Sequence, residues 1–200
     1  MKIGLWCASL GQQSANAALL RIAAGRIKEL GHESLALINA ASIPAFDPAL
    51  VDDPPMAVAD LRRQLRNCDA VAIASPEYAA GVAGSMKNAL DWLVGDSTIY
   101  RTVIGVASAG TTGGQYAIEQ MIRTISWQGG WTVAAVGISA PRSKSDGQGE
   151  FTDDTTIEDI TSWIDAIVGA AAGSPDDRRA LVAATVNPYG IDMDRFGQFE

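Results

Sequence analysis

Cysteine, histidine and long apolar runs are scarce in this chain of 200 residues. The two cysteines, Cys7 and Cys68, show neither metal-ligand spacing nor a CxxC motif. Both lie in or beside apolar segments, which favours small buried thiols in a reducing compartment over a disulfide. The single histidine, His32, follows a predicted helix end at Gly31. A metal site or a Ser-His-Asp triad would have to depend on this loop residue, so neither is expected.

Membrane and nucleic-acid partners are also disfavoured. No apolar run is long enough to span a bilayer, and a first strand that begins at Lys2 leaves no room for a signal peptide. We therefore expect a cytoplasmic protein. The formal net charge of −8 weighs against nucleic acid or an anionic membrane surface as the main partner. It does not exclude a phosphate-bearing cofactor, because backbone N–H groups can hold a phosphate locally.

Five short apolar runs, each followed by a helical pattern, recur about every thirty residues. Such nearly continuous apolarity is typical of parallel strands that helices cover on both faces. The runs are 3–8, 34–38, 70–74, 103–107 and 132–138. The crossover rules then favour one doubly wound α/β sheet of five parallel strands in the order 2-1-3-4-5. Residues 1–173 form this domain, and residues 174–200 are predicted to be an appendage of it.

Six helices complete this prediction. They are expected at 14–30, at 56–67, after Ser85, at 114–127, at 155–172 and within 176–185. Ser14 is a plausible N-cap of the first helix, and Gly31 is a plausible C-terminal stop.

Residues 74–92, which read ASPEYAAGVAGSMKNALDW, carry the strongest functional signal. A buried strand ends at a Ser-Pro turn and leads into a helix, which is where open α/β sheets bind ligands. We name residues 75–85 the second loop; its small residues let a flat ligand approach the backbone closely. Its candidate contacts are Pro76, Glu77, Tyr78 and Ala79. Glu77 has an alternative, structural role, in which it anchors the loop through Lys87 or another cation.

Residues 9–16, the first loop, place hydroxyl and amide side chains directly before a helix. Free N–H groups at the helix start, together with such side chains, make a site for a phosphate dianion. The candidate contacts are Ser9, Leu10, Gln13, Ser14, Ala15 and Asn16. The alternative is an ordinary capped strand-to-helix turn. Neither a Walker A motif nor GxGxxG is present.

Residues 108–116, the third loop, are rich in glycine and threonine and follow a buried strand. Gly113 and Gly114 would let main-chain N–H groups point at the carbonyl edge of a bound ring. The candidate contacts are Ser108, Gly110, Thr111, Gly113 and Gly114. A flexible surface turn is the alternative interpretation.

The second loop resembles the flavin-contacting P-E-Y-N … L-K-N-A-x-D-W segment of the NADPH-dependent FMN reductase family. Residues 76–78 and 87–92 match in register. The family Asn is replaced by Ala79, and a spacer Pro by Ala83.

The other two loops resemble the same family, so that the resemblance covers roughly residues 2–140. The first loop is similar to G-S-x-R-x-x-S-x-N, with Ala8 at the family Gly and Gly11 at the family Arg. The first loop therefore lacks the cation that would face a phosphate. The third loop is similar to S-x-G-x-x-G-G.

The resemblance implies a flavodoxin-like, FMN-binding oxidoreductase that uses NADPH or NADH. Hydride would pass through FMN to a free flavin, quinone, azo compound or metal oxyanion in a ping-pong cycle, without a catalytic side chain. It also implies a homodimer or homotetramer, and a flavin-dependent monooxygenase as a possible recipient of reduced flavin. The apolar residues Leu90, Trp92, Leu93 and Val94 agree with a subunit interface, since they occupy more than one helix face.

Two alternatives stay open at this stage. One is an FMN electron carrier without NAD(P)H activity. The other is a non-catalytic flavodoxin-like interaction domain that has lost the flavin, since fold alone does not fix function.

Overall fold

The computed structural model describes residues 1–9, 11 and 14–192 of the chain. Its strands are β1 (Lys2–Cys7), β2 (Glu33–Ala36), β3 (Ala70–Ala74), β4 (Glu77–Tyr78), β5 (Gly81–Val82), β6 (Val103–Gly110) and β7 (Trp131–Ser139). Five of them form a parallel sheet in the order β2-β1-β3-β6-β7. This is the predicted order 2-1-3-4-5, so the flavodoxin-like fold is confirmed. The central strand β3 is buried at every position, as expected for a strand covered on both faces.

Six α-helices surround the sheet. They are α1 (Ala15–Glu29), α2 (Met56–Arg66), α3 (Gly84–Asp91), α4 (Gln115–Trp127), α5 (Asp154–Ala172) and α6 (Pro175–Val186). Helices α1 and α5 pack against each other, as do α3 and α4. Ser14 is the N-cap of α1, since its Oγ accepts a hydrogen bond from the Asn16 N–H at 3.2 Å. Gly31 adopts φ = +78° just beyond the helix end, as its predicted stop position requires.

Two local features depart from the sequence prediction. Strand β6 extends three residues beyond the predicted end, through Ser108 to Gly110, because its pairing with β7 continues to Gly110 opposite Ser139. Ser108 and Gly110 are therefore strand residues and not loop residues. The second feature is the small antiparallel hairpin of β4 and β5, which the sequence pattern did not indicate.

The C-terminal segment contains a helix that packs on the domain. Helix α6 contacts β7, the edge strand of the sheet, and buries Val182 and Val186 completely. Arg178 Nε donates to the Ala170 carbonyl of α5 at 3.0 Å. An edge strand exposes unpaired main-chain groups unless another element covers it, which gives α6 a structural role. Residues 193–200 of the predicted appendage lie outside the described residues.

The apolar residues around the end of α3 are mostly explained within the chain. Leu90, Trp92 and Leu93 are buried in the core. The Trp92 ring meets Phe46 edge-on at 5.2 Å, and its Nε1 donates to the Pro44 carbonyl at 2.8 Å. Leu90, Trp92 and Leu93 are therefore core residues of a single chain and do not support the predicted subunit interface.

Both cysteines are half-buried free thiols. Burial raises the pKa of Cys7 and of Cys68, so both are protonated near neutral pH. Among the residues with described positions, no group of three or more His, Cys, Asp or Glu side chains is placed to hold a metal ion.

None of the helices in the described part of the chain combines the length and apolarity needed to cross a membrane.

Gly105 provides a test of the packing between the sheet and α5. A Cβ at this buried strand position would overlap the Ile167 side chain and lie 2.9 Å from Trp163 Nε1. We expect Gly105→Ala to lower the free energy of unfolding by about 1–3 kcal/mol, the usual cost of overpacking. Urea unfolding measures this change.

The matched control is Gly169→Ala in α5, where a Cβ meets no atom within 4 Å. This variant should be more stable than the parent by about 0.5–1 kcal/mol, because alanine is the better helix former. Equal stability of the two variants would contradict the packing described here.

Candidate functional site

The three loops leave the sheet side by side at its carboxyl edge. Strands β1, β3 and β6 are neighbours, with Cys7 paired to Ala74 and Ala74 paired to Ala107 near their ends. Just beyond them, the Ala8 N–H donates to the Ala74 carbonyl at 3.0 Å, and Ser85 Oγ donates to the Ala8 carbonyl at 3.2 Å. The polypeptide that precedes the first loop is thus bonded to both ends of the second loop.

Asn16 joins the first loop to the end of β6. Its side chain is only 2% exposed. Its Nδ2 donates to the Ala109 carbonyl at 3.1 Å, and its Oδ1 accepts from the Ala109 N–H at 2.9 Å. The amide thus pairs with the backbone as a neighbouring strand would. Asn16, which the sequence predicts as a ligand contact, instead links the start of α1 to the end of β6.

Glu77 joins the second loop to the third. Its carboxylate accepts from the N–H groups of Tyr116 at 2.8 Å and Ala117 at 3.1 Å, and from Thr112 Oγ1 at 3.1 Å. The N-cap of helix α4 is Gly114, which has no side chain to cap the helix, so Glu77 supplies the cap from another loop. The structural role considered for Glu77 is therefore the observed one. Its partners are N–H groups and a hydroxyl, whereas Lys87 pairs with Asp91 at 2.6 Å.

The rest of the second loop is the β4–β5 hairpin. Its two turn residues, Ala79 and Ala80, adopt φ = 49° and 56°, which is the left-handed region. Gln120 Oε1 on α4 accepts from the Val82 N–H at 2.8 Å, so both hairpin strands are fixed to α4. Tyr78 lies on the outer side, with 66% of its surface exposed. Hairpin turns are usually predicted from Asn or Gly. Two alanines carry no such signal, so the hairpin could not be predicted from the sequence.

The third loop contains two glycines in the left-handed backbone region. Gly113 and Gly114 adopt φ = +87° and +70°, as the glycine pair in the sequence suggested. A Cβ at Gly114 would overlap Ser108 Oγ. Ser108 is completely buried beneath the loop, and its hydroxyl has no hydrogen-bond partner among the residues described.

Clefts open beside the first and third loops. Ala15, the first residue of α1, lines a cleft of about 310 Å³ together with the segment that follows β7. Gly110 and Thr111 line a second cleft of about 580 Å³. A Cβ built at Gly110 or Gly11 would meet no atom of the described residues within 4 Å, so these residues leave the backbone open at both positions.

The remaining candidate residues are placed as follows. Pro76 is buried at the start of the hairpin. The Ser9 carbonyl accepts from Asn39 Nδ2 at 2.8 Å, which ties the first loop to the segment after β2. Leu10 and Gln13, two candidate contacts of the first loop, lie outside the described residues.

Comparison with known proteins agrees with this geometry. The chain matches the NADPH-dependent FMN reductase family over residues 1–144. It is 30% identical to an NAD(P)H-dependent FMN reductase of Pseudomonas aeruginosa over 168 residues, which covers 80% of this chain and 89% of that protein. It is also 34% identical to a quinone reductase of Escherichia coli over 106 residues, covering 48% of this chain and 56% of that protein.

A solved structure supports the fold. The flavoenzyme FerB of Paracoccus denitrificans, an NAD(P)H:acceptor oxidoreductase, superposes with a TM-score of 0.69 at 24% identity. The match covers 84% of this chain and 94% of that one. The matched span includes all three loops at the carboxyl edge of the sheet. The chain therefore belongs to the NADPH-dependent FMN reductase family, and it is an oxidoreductase of the kind that uses FMN and NAD(P)H.

Proposed function

We propose that this chain binds FMN where the three loops meet and uses it to pass hydride from NADPH or NADH to a second acceptor. The observation that carries the proposal is the bracing of the three loops at one edge of the sheet by Asn16 and Glu77. The names of the Pseudomonas and Escherichia relatives favour a flavin or a quinone as the acceptor. Azo compounds and metal oxyanions remain within the proposed acceptor class.

The described residues fit FMN at both ends of the site. The first turn of α1 presents main-chain N–H groups, and helix geometry gives those of Ala15 and Ala17 no acceptor within the helix. Such a helix start, with Ser14 as its cap, suits a phosphate. At the other end, the open backbone at Gly110 leaves room for a flat ring system.

The protein would contribute binding and orientation. Glu77 in the hairpin accepts hydrogen bonds from Thr112 of the third loop and from the Tyr116 N–H at the start of α4, which fixes the hairpin relative to the third loop. Main-chain N–H groups near the carbonyl edge of the ring would stabilise the negative charge that reduction places there. Tyr78 and the hairpin turn, which are exposed, would limit the approach of the second substrate.

FMN, when bound, supplies the chemistry: it takes hydride from the nicotinamide and delivers electrons to the acceptor. We propose a ping-pong cycle, in which the oxidised nicotinamide leaves before the acceptor binds. The residues then need only to hold the ring and leave one of its faces accessible. No side chain of this chain is assigned as an acid or a base.

We further propose a homodimer, or a tetramer of two such dimers, with a flavin-dependent monooxygenase as one possible recipient of reduced flavin. The support for association is the exposed apolar surface of Val94 and Trp127, which flank a groove of about 430 Å³ between α3 and α4. A cytoplasmic location is proposed because Cys7 and Cys68 are free thiols.

The function is tested by flavin binding followed by turnover. We expect FMN fluorescence to be quenched on titration with the protein, and we expect the loaded protein to oxidise NADPH or NADH when menadione or free FMN is added. Initial rates at several concentrations of both substrates should give parallel lines in double-reciprocal plots, as a ping-pong mechanism requires.

Other outcomes support the two alternatives. Flavin binding without nicotinamide oxidation above background would indicate an electron carrier. A colourless protein that does not quench FMN fluorescence would indicate a non-catalytic domain and would refute the proposal.

Glu77→Ala tests the bracing of the second and third loops. It removes three hydrogen bonds to a charged acceptor, so we expect the free energy of unfolding to fall by about 1–3 kcal/mol. FMN binding should also weaken, because the two loops lose their fixed separation. Denaturant unfolding and FMN titration measure the two effects.

The matched control is Glu119→Ala, which also removes a carboxylate from the region of α4. Glu119 forms an exposed i,i+4 pair with Arg123, and such pairs contribute about 0.3–0.5 kcal/mol. Equal losses of stability and FMN affinity in the two variants would show that Glu77 has no special role.

Sedimentation velocity tests the proposed assembly. At micromolar concentration we expect a species of twice or four times the chain mass of 20.9 kDa. Trp127→Glu should shift the distribution towards the monomer, since it places a charge on the apolar groove. A wild-type protein that sediments as a monomer would refute the homodimer.

A further inference from the structure

Main-chain N–H groups at the start of α1 can hold a phosphate, and a nearby cation would strengthen that binding. The first loop provides no cation among its described residues. Ser9, Gly11 and Ser14 are uncharged. Arg21, further along α1, is engaged with Glu150, with Nε and Oε2 3.1 Å apart. A cation that strengthens phosphate binding would therefore have to come from another element.

Arg142 lies in the right place. It belongs to the short 3₁₀ turn Pro141–Lys144 that follows β7. Its side chain is exposed and lines both clefts: the one that contains Ala15 at the start of α1, and the one that contains Gly110 and Thr111 of the third loop. Arg142 thus borders both of the clefts that adjoin the proposed FMN site.

Arg142 is also distinguished by its lack of a partner. Within the described part of the chain, its guanidinium forms no hydrogen bond or ion pair. Several other arginines pair with carboxylates: Arg26 with Asp165, Arg62 and Arg66 with Asp96, Arg63 with Asp60, and Arg123 with Glu119. Arg178 instead donates to main-chain carbonyls. The chain has 23 acidic and 15 basic residues, so an unengaged guanidinium is unexpected.

The cleft that contains Ala15 carries charges of both signs. The start of α1 carries the positive end of the helix dipole, so Arg142 and α1 bring two positive features to one cleft. Asp146 lines the same cleft, but its Oδ1 accepts from the N–H groups of Gln148 at 2.8 Å and Glu150 at 2.9 Å. These backbone hydrogen bonds lower the pKa of Asp146, which stays ionised and would oppose a bound phosphate.

The backbone that carries Arg142 is fixed to the third loop. Ala140 adopts φ = 47°, a left-handed conformation that alanine rarely takes. Its N–H donates to the Thr111 carbonyl at 3.3 Å, and Ser143 Oγ donates to the Ala140 carbonyl at 2.9 Å. Ser145 Oγ donates to the Pro141 carbonyl at 2.8 Å. The strained turn therefore holds Arg142 at the edge of the clefts.

We propose that Arg142 is the cation that binds the phosphate monoester of FMN from the segment after β7, across the cleft from the start of α1. The assignment rests on the proposed FMN function. In this proposal the cation that binds the phosphate lies in the turn Pro141–Lys144 and not in the first loop. The guanidinium offers several N–H donors for the phosphate oxygens, and its charge partly offsets the net charge of −8 that would otherwise repel the dianion.

Riboflavin, which has the same ring and lacks the phosphate, separates this role from ring binding. Fluorescence titrations of the apoprotein with FMN and with riboflavin measure both affinities. For Arg142→Gln, we expect FMN to bind about fivefold to tenfold more weakly, the scale of one solvent-accessible charged contact. Riboflavin affinity should change less than about twofold, since no phosphate contact is lost.

Three further variants sharpen the test. Arg142→Lys should recover part of the FMN affinity. Asp146→Asn, which keeps an acceptor for the turn and removes the charge, should strengthen FMN binding and leave riboflavin unaffected. Arg63→Gln is the control, because it removes an arginine charge from α2, where Arg63 pairs with Asp60.

The outcomes distinguish this proposal from the proposed function itself. An equal loss for FMN and riboflavin in Arg142→Gln, or no loss for either, would overturn the phosphate assignment and leave FMN binding established. An unchanged FMN affinity together with a raised KM for NADPH, but not for NADH, would assign Arg142 to the nicotinamide dinucleotide and likewise overturn it. A wild-type protein that binds neither flavin would refute the proposed function, and the Arg142 assignment with it.

Discussion

The site depends on two side chains that bond to the main chain of a neighbouring loop. Asn16 pairs with Ala109 at the end of β6, and Glu77 caps α4 from the hairpin. Loops at the carboxyl edge of a parallel sheet are not held by strand pairing, so their main-chain polar groups need other partners. These two residues satisfy those groups across loops, and in doing so they fix three chain segments relative to one another.

In this arrangement polar side chains hold the loops together, and main-chain groups would be left to contact a ligand. The polar side chains that look like ligand contacts, Asn16 and Glu77, are occupied in bracing the loops. The surfaces that we propose for the ligand are the start of α1 and the open backbone at Gly110. The proposed site would recognise a ligand mainly through main-chain groups and shape, as expected where a cofactor supplies the chemistry.

The positions where this chain departs from its family have structural consequences. Ala79 replaces a family Asn in a turn where the left-handed conformation suits Asn better than Ala, so the hairpin depends more on its anchors to α4. Gly11 stands where the family has Arg, and the described first loop has no cation. Arg142, on a segment outside the family's loop signatures, lies beside the same helix start.

The sequence alone determined the six helices, the cap at Ser14 and the family, because apolar periodicity and local motifs are encoded by neighbouring residues. The strand order followed from the same apolar runs together with the crossover rules for parallel strands. It also indicated the glycine conformations at Gly113 and Gly114, which only glycine adopts readily. Only the tertiary structure decided what Asn16, Glu77 and Ser108 contact, since their surroundings come from residues distant in the chain. The hairpin at Ala79 and the position of Arg142 were likewise decided by contacts with α4 and the third loop, which no local pattern records.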